Sequence, residues 1–171
     1  NHNNTFVDFP DPRSFADFGI QWGRGGWSRF HAVKLWDEQL VAVCSPSYKA
    51  KLGIGEPSDV QRCTLLHVDD KRMWAEWMEQ CGTVLRPEQS SIMLEDRHFQ
   101  LSSTINGLGI SLFANWLVQG ELASGALVNP FGQSYPTSFS YPLVTPKGPP
   151  LAPSAKRVRD WFLKLVGETA R

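Results

Sequence analysis

The chain has 171 residues, with 17 basic and 17 acidic side chains and a formal net charge of +0. That length suits one domain or two small lobes on one chain, and 42% apolar residues with 12% aromatics describe a protein that buries a core, not a disordered segment. A neutral balance argues against a dedicated nucleic-acid or anionic-membrane surface, and no apolar run approaches the ~20 residues needed to cross a bilayer.

Strands and helices alternate along the chain. Residues 17–22 put Phe18, Ile20 and Trp22 on one face of a strand, and the loop Gly23-Arg24-Gly25-Gly26-Trp27 breaks it. Leu40-Val41-Ala42-Val43-Cys44 is a continuous apolar run, as expected of a strand covered on both faces; Ser45-Pro46-Ser47 is expected to stop it. Residues 64–67 form the next strand, leading to a helix over 71–81 capped by Asp69 or Asp70. Its buried stripe is Met73, Trp74, Trp77, Met78 and Cys81, and Gly82 ends it. A strand over 92–94 precedes a helix over 98–106 with Phe99, Ser102 and Ile105 on one side. A strand over 110–113, a short helix over 116–122 and a brief strand at Leu127-Val128 follow. Residues 138–141 and 143–144 form a further strand. After the Pro-rich stretch 146–153 comes a last helix whose Val158, Trp161, Phe162 and Leu165 follow i, i+3, i+4, i+7. Such alternation implies mainly parallel pairing, with ligand crevices at the carboxyl ends of strands.

Catalytic and metal signatures are weak. Gly23-Arg24-Gly25-Gly26-Trp27-Ser28 fails the dinucleotide fingerprint at its last position, and Gly109-Ile110-Ser111-Leu112-Phe113 lacks the closing glycine of a nucleophile elbow. His2, His31, His67 and His98 form no i, i+4 pair and have no cysteine at metal spacing. Glu95-Asp96 stands at a strand end, where a helix cap is the ordinary role. Cys44, Cys63 and Cys81 are an odd number at wide spacing, which fits reduced core residues. The start at Asn1-His2-Asn3-Asn4 has neither initiator Met nor secretory signal. The expectation is a cytoplasmic chain cut from a longer protein, with no catalytic residues, no metal and no cofactor.

Several segments in order resemble the effector-binding domain of LysR-type transcriptional regulators, in the branch holding the glycine-cleavage and β-lactamase-induction regulators. Asp17-Phe18-Gly19-Ile20-Gln21-Trp22-Gly23 is similar to the family's D-hydrophobic-x-I-x-x-G, and Gly25-Gly26-Trp27 to that branch's glycine loop. Leu40 to Pro46 is close to L-x-x-V-C-S-P, and Trp74-Ala75-Glu76-Trp77 to W-x-x-W. Gly107-Leu108-Gly109-Ile110-Ser111-Leu112, Gly125-Ala126-Leu127-Val128 and a C-terminal Trp161-Phe162 helix complete the set.

The resemblance implies a two-lobed α/β fold like a type 2 periplasmic binding protein, with two crossover strands and an incomplete first lobe. Lobe I would comprise residues 1–43 and 139–171, and lobe II residues 44–138. A small effector would lie between the lobes. DNA would be bound only through an absent winged helix-turn-helix domain, and the whole regulator would be a homodimer or homotetramer with no membrane contact. The expected effector contacts are Asn3, Asn4, His67, Asp69, Arg97 and Tyr141. The last two match pocket positions of the family, whereas the others are polar groups at expected strand ends. Arg97 at a helix N-terminus opposes the helix dipole by about 0.3–1 kcal/mol, which is more easily explained if it grips an anion such as an amino-acid or peptide carboxylate. A solute-binding protein of a transport system and a small α/β enzyme are the other readings this fold admits.

Overall fold

The computed structural model describes residues 16–68, 71–84, 86 and 88–169. Its elements run β1 (Gly19–Ile20), β2 (Phe30–Val43), α1 (Pro46–Leu52), β3 (Leu65–Val68), α2 (Arg72–Gln80), β4 (Ser91–Leu94), α3 (Arg97–Ile105), β5 (Ile110–Ala114), α4 (Gln119–Ser124), β6 (Ser134–Pro146) and α5 (Pro153–Thr169). Two short 3-10 turns, Pro57–Arg62 and Asn115–Leu117, link them. The chain divides into two compact units, one made of the described residues up to Glu38 with those from Thr137 on, the other of Gln39–Pro136. The two long strands β2 and β6 each pass from one unit to the other, at Glu38/Gln39 and at Pro136/Thr137. Among the described residues no helix is long and apolar enough to cross a membrane.

The second unit is built on the apolar run of β2. Alternate side chains of a strand point to opposite faces, so Leu40, Ala42 and Cys44 enter one buried cluster and Val41 and Val43 the other. The first cluster packs against Trp74, Trp77 and Met78 of α2, each at most 2% exposed, and the second against Phe113, Val118 and Leu127. Burying each large side chain of this kind contributes roughly 1.5–3 kcal/mol. Cross-strand pairing follows: β2 runs antiparallel to β5, while β3 runs parallel to both β5 and β4. Gly109 leads into β5 where a Cβ would stand 2.3 Å from the carbonyl oxygen of Thr64, so only a glycine allows this approach. In the first unit β1 pairs antiparallel with β6 through Gly19 and Ile20.

Several expectations need correction. Pairing is mixed rather than mainly parallel. Ser45-Pro46 does end β2, but it opens α1: Ser45 accepts the Tyr48 amide at 3.2 Å, Pro46 takes the first turn, and Gly53 closes the helix at φ 61. The strand expected over 17–22 is reduced to Gly19–Ile20, with the Gln21 amide still donating to the Pro142 carbonyl at 3.0 Å and Ile20 48% exposed. The helix expected over 116–122 is a 3-10 turn followed by α4, and Val128 makes a single bridge with Cys44.

Two helices bury another face than the apolar pattern indicates. On α3, Gln100 and Thr104 are buried whereas Phe99 and Ile105 are exposed. On α5, Val158, Trp161 and Leu165 are exposed, and Ala155, Arg159, Phe162, Leu163 and Val166 form the half-buried side. Helix α2 matches its expected stripe, and Gly82 follows it at φ 66. Lys71 at its N-cap makes no side-chain cap bond, and the expected caps Asp69 and Asp70 lie outside the described residues.

Candidate functional site

The first unit carries a buried carboxylate where the two long strands enter it. In β2, Trp36, Glu38 and Leu40 share a side by the period of two, and in β6 Thr137, Phe139 and Tyr141 do the same. Glu38 is 3% exposed. Its Oε1 accepts the Trp22 indole N–H at 2.9 Å and the Tyr141 hydroxyl at 3.1 Å, and its Oε2 accepts the Thr137 hydroxyl at 2.9 Å. The rings around it are stacked in pairs. Trp22 lies on Phe139 with centroids 4.3 Å apart, Trp36 lies on Tyr141 at 5.6 Å, and the Arg24 guanidinium covers the Phe139 ring at 4.7 Å. A buried carboxylate without donors would cost several kcal/mol, so these three hydrogen bonds hold both strands and the Trp22 segment in register.

The second unit presents the carboxyl ends of β3 and β4, which run in parallel with His67 opposite Met93 and Val68 opposite Leu94. His67 lies in β3 and is 3% exposed. Chain reversal after β4 is made by Asp96, whose carboxylate caps α3 by accepting the Phe99 amide at 2.9 Å, an interaction worth about 1 kcal/mol. Arg97 is the first residue of α3 and is half-buried. Behind them Gln100 is 2% exposed and donates to the carbonyl of Leu66 at 3.3 Å, a carbonyl that also accepts the Trp74 indole at 3.2 Å.

His67 and Arg97 thus share one edge of the second unit, and Tyr141 belongs to the first. Asn3, Asn4 and Asp69 lie outside the described residues. Sequence reasoning passed over Glu38, Trp22, Thr137 and Gln100. The available signal was the alternation of β2, which puts Glu38 on the same side as the buried Leu40. Among the described residues no group of three His, Cys, Asp or Glu side chains could hold a metal ion. The thiols are the wrong kind for chemistry: burial pushes Cys44 up to about 11 and Cys63 up to about 12, away from the reactive thiolate.

A family model described as the LysR substrate binding domain matches residues 13–166. The glycine cleavage system transcriptional activator of Escherichia coli is 29% identical over 149 residues, covering 86% of this chain and 49% of that protein. The transcriptional activator AmpR of Rhodobacter capsulatus is 27% identical, covering 98% of this chain and 55% of that protein. The chain therefore spans about half the length of these relatives. Among solved structures, the effector domain of AmpR from Pseudomonas aeruginosa superposes with a TM-score of 0.79 at 25% identity, covering 93% of this chain and 76% of that one. The AmpR effector-binding domain of Citrobacter freundii shares the fold at the same TM-score and 22% identity, over 92% of this chain and 78% of that one.

Proposed function

The chain belongs to the LysR substrate-binding domain family, and from that premise we propose that it is the effector-sensing part of a bacterial transcription regulator acting in the cytoplasm. The fold is the two-unit, type 2 periplasmic-binding-protein-like one. The family consists of regulator effector domains and is not an enzyme family. The single observation that carries the reading is the family match over residues 13–166. A transport solute-binding protein is disfavoured, since the matched relatives are transcriptional regulators.

The proposed effector is a small metabolite bearing an anionic group. Arg97 supports this: a guanidinium kept at the first position of α3 opposes the helix dipole and is better placed against a carboxylate, which it can grip with two parallel hydrogen bonds. We assign Tyr141 to the effector site as well, with His67 and the undescribed Asn3, Asn4 and Asp69 as further candidates. DNA binding belongs to a winged helix-turn-helix domain outside these 171 residues, because a net charge of +0 offers no phosphate-neutralising surface.

Self-association is the second proposed partnership. β4 stands at the end of its sheet, and Ile92 and Met93 on it, with Phe99 and Ile105 on α3, are exposed apolar residues. A strand that is at the sheet edge among the described residues, beside such side chains, suits an isologous contact with a second copy.

The test uses the full-length gene product. Footprinting on the DNA upstream of its own gene, with and without a panel of amino acids and dipeptides, should show protection whose pattern changes with at least one compound. Protection by the 171-residue chain alone at physiological salt would contradict the reading.

A further inference from the structure

We infer that the exposed stripe Val158, Trp161 and Leu165 of α5 is an internal docking surface, covered in the whole protein by an acid-flanked amphipathic helix from the part of the same polypeptide outside these 171 residues. The inference goes beyond the effector reading and rests on family membership alone. All the residues involved belong to the first unit. Helix α5 is 17 residues long, yet none of its described side chains is buried. Its apolar residues fall on two adjoining sides. Ala155, Phe162, Leu163 and Val166 are half-buried, whereas Val158, Trp161 and Leu165 are 54%, 61% and 45% exposed. A helix lying on the surface of a domain has one apolar stripe and a polar remainder, so a helix apolar on two sides is built to have neighbours on both.

The sequence of α5 selects the occupant. The positions 158, 161 and 165 follow the a, d, a spacing of a helix that receives another helix. On that pattern Arg157 and Lys164 hold the flanking position, and both are exposed. Asp160, the acidic residue beside them, is paired with Arg159 at 2.6 Å. A second copy of α5 would set the flanking cations against each other when antiparallel and against Phe162 when parallel, so charge disfavours self-pairing. A helix with Asp or Glu along its facing edge complements them. The chain covers 76% and 78% of the two AmpR effector domains, so a complete domain of this fold holds residues beyond those matched here. Chain joined to the same polypeptide meets α5 at a high effective concentration, which a separate partner does not.

The test places one thiol on the stripe and another off it. Val158→Cys is close in size to the native residue. Lys156→Cys lies two residues earlier, on the opposite side of the helix, at an exposed position. Each is made in the full-length gene product and in the 171-residue chain, treated with iodoacetamide and read by peptide mass spectrometry. Silence of the buried Cys63 shows in every variant that the fold is intact. In the full-length protein the Val158→Cys thiol should react roughly tenfold or more slowly than the Lys156→Cys thiol, as a site reached only through local opening does, and dilution should not change this. In the 171-residue chain the two thiols should react alike. Adding Arg157→Glu to the full-length Val158→Cys protein should speed its labelling, because like charge then faces the acidic edge. Equal rates at the two positions in the full-length protein would overturn the inference. So would protection already present in the 171-residue chain, protection that fades on dilution (the mark of a second copy), or protection untouched by Arg157→Glu. None of these outcomes involves Arg97, so the effector reading stands or falls separately.

Discussion

The hydroxyls of Thr104 and Ser111 lie 2.7 Å apart in the interior of the second unit, joining α3 to β5. Thr104 also reaches the carbonyl of Gln100 at 2.6 Å. A carbonyl only accepts, so the Thr104 hydrogen goes to Gln100 and Ser111 donates to Thr104. The two substitutions are therefore unequal. Thr104→Val leaves the Ser111 hydroxyl without its acceptor and should cost about 1–3 kcal/mol, whereas Ser111→Ala leaves Thr104 still bonded and should cost about 0.5–1.5 kcal/mol. The double variant should lose less than the sum. Urea unfolding of all three checks this, and equal, additive losses would show that the pair does not act as described.

Asp59 makes stability depend on pH below the ordinary carboxylate range. Its hydrogen bond to Arg62, and next the amides of Gly55 and Glu56 at 2.9 and 3.0 Å, hold it down from 3.8 to about 2. A carboxylate depressed by folding stabilises the protein above its unfolded value and loses that contribution as pH falls through its folded value. Arg62 is more than half exposed, which screens the pair. Asp59→Asn should accordingly cost about 1 kcal/mol at pH 6, and its deficit should shrink as pH falls from 3.8 towards 2. Paired urea titrations at the two ends of that window decide it. A deficit that stays constant would contradict the assignment.

Thiol labelling tests the core. Burial raises Cys44 to about 11 and Cys63 to about 12, and it also raises the half-buried Cys81. Iodoacetamide at pH 8 should modify Cys81 first and slowly, and reach Cys44 and Cys63 only after denaturation. Peptide mass spectrometry gives the order. Rapid labelling of Cys63 in the native protein would mean that the packing around it is wrong.

What could be read from the sequence depended on whether one interaction dominated a segment. The run Leu40 to Cys44 and the α2 stripe of Trp74, Trp77 and Met78 are governed by burial, and periodicity identifies both. On α3 the same reasoning chose Phe99 and Ile105, yet the helix turns Gln100 and Thr104 inward. There the buried face is selected by hydrogen bonds to Leu66 and Ser111, partners far along the chain that no local pattern reveals. Ser45-Pro46 reads as a stop because it ends a strand, although the same two residues are an N-cap and a first helical turn. The Glu38 cluster draws on residues 22, 38, 137 and 141, and only the pairing of distant strands assembles it. Arg97 at the start of a helix was legible because Glu95-Asp96 announces the helix that follows.

We propose that this chain senses a small carboxylate through Arg97, and calorimetry on an Arg97 variant tests it. The protein is screened by thermal shift against amino acids and dipeptides, and the compound giving the largest rise in Tm is titrated calorimetrically into wild type and into Arg97→Ala. Loss of a charge-assisted, two-pronged hydrogen bond should weaken binding by about 1.5–3 kcal/mol, roughly tenfold to a hundredfold, with the unliganded Tm of the variant unchanged. Equal affinity in the two proteins would contradict the claim.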